Sequence, residues 1–155
     1  MQKVVLFLVL LATLAEANYN FYYRGFKIAE VDTLDTIHQT YVKAKVTNPI
    51  YRLITGQPNV VYYHDYKPKF KDTKYRRDWQ MYFSVLRVLI EERPSHQELL
   101  INDENHAFIV CEGNKCSFKY YEVDKPIGNG IVTFDANDEV LSIVDSVNHA
   151  ELLKQ

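Results

Sequence analysis

His106-Ala107-Phe108-Ile109-Val110-Cys111-Glu112-Gly113-Asn114-Lys115-Cys116-Ser117-Phe118-Lys119-Tyr120-Tyr121 holds two β-rich runs around a Gly-Asn pair, and the fold is read outward from it. Gly-Asn suits the centre of a two-residue hairpin turn, and the turn sets the register. With Gly113 and Asn114 central, Glu112 pairs with Lys115, and Cys111 faces Cys116 at a non-hydrogen-bonded position. Opposed Cα atoms are close enough there for a disulfide. Alternation then places Ala107, Ile109, Phe118 and Tyr120 on the sulfur face, and His106, Phe108, Val110, Ser117, Lys119 and Tyr121 on the other. Because that second face is not purely polar, both faces are expected to be partly covered.

Downstream, Pro126 and Gly128-Asn129-Gly130 are expected to break the chain before a strand at Ile131-Val132-Thr133-Phe134. Asp135-Ala136-Asn137-Asp138 then turns the chain into Val140-Leu141-Ser142-Ile143-Val144, a second hairpin. The two glycines do not make a nucleotide-binding loop, since no third glycine follows and a strand rather than a helix comes next.

The chain starts Met1-Gln2-Lys3, followed by an apolar run from Val4 to Ala12 and the small-residue pattern Ala15-Glu16-Ala17. Residues 1–17 read as a signal peptide cut after Ala17, leaving 18–155 as a single domain. The apolar run falls short of the roughly 20 residues a membrane-spanning helix needs. A secreted, extracellular protein with no membrane span after cleavage is therefore expected. A net charge of -2 argues against a dedicated nucleic-acid binder. Two cysteines alone make neither a structural zinc site nor a disulfide framework, so no metal and no cofactor are expected.

Asn18 to Glu30 is aromatic without clear periodicity and reads as an arm packed on the body. From an Asp32 or Thr33 cap, Leu34, Ile37, His38, Tyr41 and Val42 recur at helical spacing. Asn48-Pro49 ends that helix, and Pro49 opens a short second one, Ile50 to Thr55, closed by Gly56. Asn59 to Tyr66 reads as a strand, and Lys67 to Arg77 as a basic, turn-prone stretch. Asp78 then caps a helix whose apolar face is Trp79, Tyr82, Phe83, Leu86, Leu89 and Ile90, ended by Pro94. The same residues would suit a buried strand, and length and cap favour the helix.

Helices followed by antiparallel strands make an α+β arrangement. The order of elements, with Gly130-Ile131-Val132-Thr133-Phe134-Asp135-Ala136-Asn137-Asp138-Glu139-Val140-Leu141-Ser142-Ile143-Val144-Asp145 near the end, resembles the nuclear transport factor 2-like superfamily and its SnoaL-like branch. The resemblance spans about Thr33 to Val147. It departs from the family in a turn without glycine and a short second helix. It implies a cone in which a curved, mainly antiparallel sheet packs on N-terminal helices around a cavity, with homodimerisation through the sheet.

Enzymes of that superfamily move a proton with an Asp or His inside the cone, and the candidates here are Asp65 and His38. Asp65 would be a general base if desolvated, or otherwise a strand-end carboxylate reaching solvent. His38 lies on the apolar stripe of the first expected helix, as a functional group or a core residue. His64, adjacent to Asp65, would point to the opposite strand face. Tyr62, Trp79, Tyr82, Phe83, Phe118 and Tyr120 could line an apolar pocket or simply pack. Lys67, Lys69, Lys71, Lys74, Arg76 and Arg77, diluted by Asp65, Asp72 and Asp78, could grip an anionic polymer or stand as a solvated loop. The leading expectation is a non-enzymatic domain that holds a small hydrophobic ligand or self-associates through its sheet. A lyase or isomerase using acid-base chemistry, and an extracellular binder of anionic polymers, are the alternatives.

Overall fold

The Gly113-Asn114 turn forms as the sequence requires, and the sheet grows from it. In the computed structural model, which describes residues 18–35, 37, 41–56, 59–63, 85–100 and 104–155, β6 (Asn105–Glu112) pairs antiparallel with β7 (Lys115–Glu122). Glu112 faces Lys115 and Cys111 faces Cys116, joined by a disulfide across a Cα separation of 4.0 Å. Ala107, Ile109, Cys116, Phe118 and Tyr120 are buried on one face, as the alternation demands.

The remaining strands are β1 (Tyr19–Tyr23), β2 (Phe26–Val31), β3 (Tyr41–Val46), β4 (Asn59–Tyr63), β5 (Gln97–Leu100), β8 (Lys125–Phe134), β9 (Val140–Asp145) and β10 (Ala150–Lys154). All ten form one sheet in the order β4-β3-β2-β1-β10-β9-β8-β7-β6-β5, with every pairing antiparallel. Among the described residues the first and last strands are neighbours, so the sheet runs as an up-and-down meander joined where β1 meets β10, with β4 and β5 at its edges. Val31 and Ala44 near one edge share a single buried cluster with Ala107 and Ile109 near the other. The sheet therefore curls about one core.

This overturns the expected α+β cone with its N-terminal helices. Where the helical spacing of Leu34, Ile37, His38, Tyr41 and Val42 predicts a helix, the described residues show a tight turn, Ile37 N–H to the Leu34 carbonyl at 3.0 Å, and then strand β3 from Tyr41. From Val42 on, period two wins: Val42, Ala44 and Val46 are buried while Lys43 and Lys45 are exposed. The expected arm is a hairpin. Arg24 (φ 50°) and Gly25 (φ 80°) supply the two left-handed residues of its turn, and Tyr19, Phe21 and Tyr23 line the core side of β1.

The Gly128-Asn129-Gly130 segment is not a turn either. The chain turns at Val123-Asp124, and both glycines lie inside β8, where Gly130 faces Phe118 and Gly128 faces Tyr120. Missing side chains leave room for the two buried rings of β7. Pro126 is tolerated because the β7–β8 register shifts between Tyr120 and Tyr121.

The short helix is as expected. Helix α1 (Pro49–Thr55) has Asn48 as cap, its Oδ1 accepting from Ile50 N–H (3.0 Å) and Tyr51 N–H (3.3 Å), and Gly56 at φ 65° closes it. Residues 85–92 are helical, the last five wound as a π-helix (Val88–Glu92) that lays Val85, Val88 and Leu89 on the core. No helix among the described residues is long and apolar enough to cross a membrane.

Candidate functional site

The inward face of the sheet is where the chain gathers its aromatic groups. Tyr19, Phe118, Tyr120 and Phe134 are buried there, with Phe21 and Tyr23 packed against them. Few polar atoms share that space. The Tyr120 hydroxyl donates to Asn105 Oδ1 at 3.4 Å, both groups being buried. Burial pushes the Tyr19 phenol above its ordinary pKa, an effect the nearby Lys154 ammonium partly offsets. The face thus combines apolar bulk with a few hydroxyl and amide groups.

Asp145, the buried carboxylate at the end of β9, is committed to structure. Its Oδ1 accepts from the backbone N–H groups of Asn129 (3.3 Å), Val147 (3.0 Å) and Asn148 (3.1 Å), and Oδ2 accepts from Asn148 Nδ2 at 2.6 Å. Asn148 Nδ2 also reaches the Ile127 carbonyl, and the Ser146 hydroxyl the Asn129 carbonyl. One carboxylate therefore ties the β9–β10 turn to β8.

The outward face carries a shallow groove of about 520 Å³ over β7, β8 and β9. Ile131 and Val144 form its apolar floor, and Lys115, Ser117, Asn129, Thr133, Ser142 and Ser146 its polar border. The Thr133 and Ser142 hydroxyls bond one another at 2.6 Å. The lining contains no carboxylate or imidazole to take a proton from these hydroxyls. His106, Phe108 and Tyr121 cluster on the same outward face, His106 stacked on Tyr121 at 5.1 Å between centroids and Phe108 edge-on to both. That is the partly covered second face the hairpin register predicts.

Of the residues expected to line a pocket, Phe118 and Tyr120 are side by side on the inward face of β7. Tyr62 stands on β4 at the position opposite Val42, toward the far edge of the sheet. Trp79, Tyr82 and Phe83 lie outside the described residues, as do His38, His64, Asp65, the basic run Lys67–Arg77 and the expected signal peptide 1–17. The Asp145 bracket went unread, although Asp145-Ser146-Val147-Asn148 carries the signature of a side chain that caps its own turn. The hydroxyl pair has no local signal, because Thr133 and Ser142 meet only through the β8–β9 register. Among the described residues no group of three or more His, Cys, Asp or Glu could hold a metal ion. In comparisons with known proteins, no family model, no curated protein and no solved structure matches this chain.

Proposed function

We propose that the protein is a secreted, non-enzymatic binder of a small hydrophobic ligand, held against the inward face of the curled sheet. The observation that carries this reading is the joining of the first and last strands around an inward face of aromatic rings with a few polar handles. Antiparallel meanders curled about a core can hold ligands at their interior and mouth. The commitment of Asp145 to four hydrogen bonds supports binding over acid-base chemistry. The Cys111–Cys116 disulfide is compatible with an extracellular location. Native mass spectrometry of protein purified from its own source should show a non-covalent apolar adduct. After delipidation the protein should bind a fluorescent fatty acid saturably, one per chain. A bare mass together with unsaturable dye uptake overturns the reading.

A second reading, self-association through the sheet, is favoured by one observation. Val110, Ser117, Ile131 and Val144 form a continuous outward row across β6 to β9, and its three apolar members are exposed. Lys115 and Glu112 border it, giving both signs of charge that a self-complementary contact uses. Sedimentation equilibrium of the wild type against Ile131→Asp distinguishes them: a dimer lost in the variant favours self-association.

A further inference from the structure

Because every strand reverses the one before it, the connections of the sheet fall at two ends, and these ends differ in chemistry. One end carries the Arg24-Gly25 turn, α1 between β3 and β4, the C-terminal end of β5, the Val123-Asp124 turn and the β9–β10 turn. The six most exposed large apolar residues among those described, Phe26, Ile50, Leu53, Ile54, Leu100 and Val123, all lie at this end, 58 to 85 % exposed. The other end holds the Gly113-Asn114 turn and the acidic turn of Asp135, Asp138 and Glu139.

The exposure is built in. Helix α1 turns Tyr51 toward the body, edge-on to Tyr23 with centroids 6.3 Å apart, which leaves Ile50, Leu53 and Ile54 on its free side. Its cap fixes that orientation: the Thr47 and Asn48 N–H groups both donate to the Ile28 carbonyl, and Asn48 Nδ2 reaches the Lys27 carbonyl. Phe26 stands beside this anchor at the start of β2. Cations accompany the apolar groups, with exposed Arg24 and Lys27 flanking Phe26 and exposed Arg52 between Ile50 and Leu53. Glu30 pairs with Lys27 at 2.7 Å. Glu104, Glu122 and Asp124 gather around Leu100 and Val123 instead, with Lys125 among them. The cationic part of the rim is therefore the part that carries Phe26 and α1.

We infer that this end docks on a lipid surface with anionic headgroups, α1 and Phe26 entering the interface while Arg24 and Arg52 meet the headgroups. Separate apolar tips on different turns suit a bilayer, which receives each side chain without a shape-matched partner. Neighbouring cations supply the attraction to anionic lipid, and salt weakens it. The inference rests on the exposure and charge of this end alone, independently of any ligand inside the sheet.

Vesicle flotation tests it with the full chain, using phosphatidylcholine and phosphatidylserine at about three to one, and phosphatidylcholine alone. The wild type should float with the mixed vesicles and less with the neutral ones. Leu53→Ser/Ile54→Ser should lower partitioning by about tenfold or more. Arg24→Gln/Arg52→Gln should abolish the preference for phosphatidylserine. Leu141→Ser, exposed at the start of β9 away from this end, should float like the wild type. All these positions are exposed, and circular dichroism confirms folding. Wild-type protein that stays in solution at low salt overturns the inference, as does a Leu53→Ser/Ile54→Ser variant that floats as well as wild type. A size-exclusion dimer lost in that variant without any vesicle binding assigns the rim to a protein partner instead, and likewise overturns it.

Discussion

The Arg93 guanidinium lies over the ring of Phe134, 3.7 Å from its centroid, and so locks the end of the π-helix onto the β8–β9 hairpin. Its Nη1 also meets Asp138 at 2.8 Å, and its Nε donates to the Ile90 carbonyl at 3.3 Å. These partners are unequal. Phe134 is buried, whereas the Asp138 side chain is 82 % exposed and its ion pair is weakened by water. Arg93→Met should therefore cost ~1–2 kcal/mol in urea denaturation, and Asp138→Asn less than ~0.5 kcal/mol. Equal losses would show that the ion pair, not the ring, holds the helix.

Gly130 is the tightest point of the sheet. A Cβ there would sit 1.8 Å from the Val144 carbonyl oxygen and 2.9 Å from Phe118 Cζ, so backbone as well as ring must move. Gly130→Ala should cost about 3 kcal/mol or prevent soluble folding. Gly25→Ala meets open space and only the strain of φ 80°, so it should cost about 1 kcal/mol. Urea midpoints of the two variants check the order.

These two glycines also mark what the sequence did and did not make legible. The central hairpin was readable to the residue, because a two-residue turn and a cysteine pair fix the register locally. Helix α1 was readable because its cap, its proline and its closing glycine are all local. Gly128 and Gly130 misled because a glycine facing an aromatic ring on the next strand looks, in sequence, like a turn. Leu34 to Val42 misled because four apolar residues at helical spacing outweighed the Lys43–Lys45 alternation that follows. The pairing of β1 with β10 joins opposite ends of the chain, and no local pattern announces it. The acid-base candidates Asp65 and His38 lie outside the described residues.

The disulfide should contribute modestly. It closes a loop over a sequence separation of only 5, for which the lost chain entropy is worth about 2 kcal/mol. Register is held independently by the turn and by eight paired positions of β6 and β7. Cys111→Ala/Cys116→Ala should therefore lower the urea midpoint while leaving the near-ultraviolet circular dichroism spectrum in place. Loss of that spectrum would mean the sulfurs set the register.

The C-terminal strand is held by charge at the β8–β9 turn, where Lys154 Nζ contacts Asp135 Oδ2 at 3.2 Å and also Glu139. Asp135 Oδ1 accepts from the N–H groups of Asn137 and Glu139, and the hydrogen bond from Glu139 does most to hold the carboxyl below its ordinary pKa. Glu139 and then Asp135 raise the Lys154 ammonium. A depressed carboxyl stabilises the fold above its ordinary value and loses that contribution as pH falls through the lowered one. A raised ammonium stabilises below its ordinary value and loses that contribution as pH rises through the raised one. The Tm of Asp135→Asn should thus vary less with pH than wild type below about pH 4. Lys154→Met should flatten the alkaline limb above about pH 10. Parallel wild-type and variant profiles at both extremes would separate the latch from stability.

Asp145 gives the sharpest test of a structural against a chemical role. It is 2 % exposed, and its two oxygens satisfy three backbone N–H groups and the Asn148 amide. Asp145→Ala strands those donors in a turn that cannot fully open to water, and should cost about 3 kcal/mol or more. Asp145→Asn keeps one acceptor oxygen for the backbone groups but sets an amide against the Asn148 amide, and should cost about 1–2 kcal/mol. In Asp145→Asn/Asn148→Asp the carboxylate and amide exchange places, restoring the side-chain pair but losing the Asn148 donor to the Ile127 carbonyl, so the recovery should be partial. Amide hydrogen exchange at Asn129, Val147 and Asn148 should rise in the order wild type, Asp145→Asn, Asp145→Ala. Unchanged exchange at those three positions in Asp145→Ala would mean that the turn is held by the Ser146 and Asn148 contacts to β8 instead.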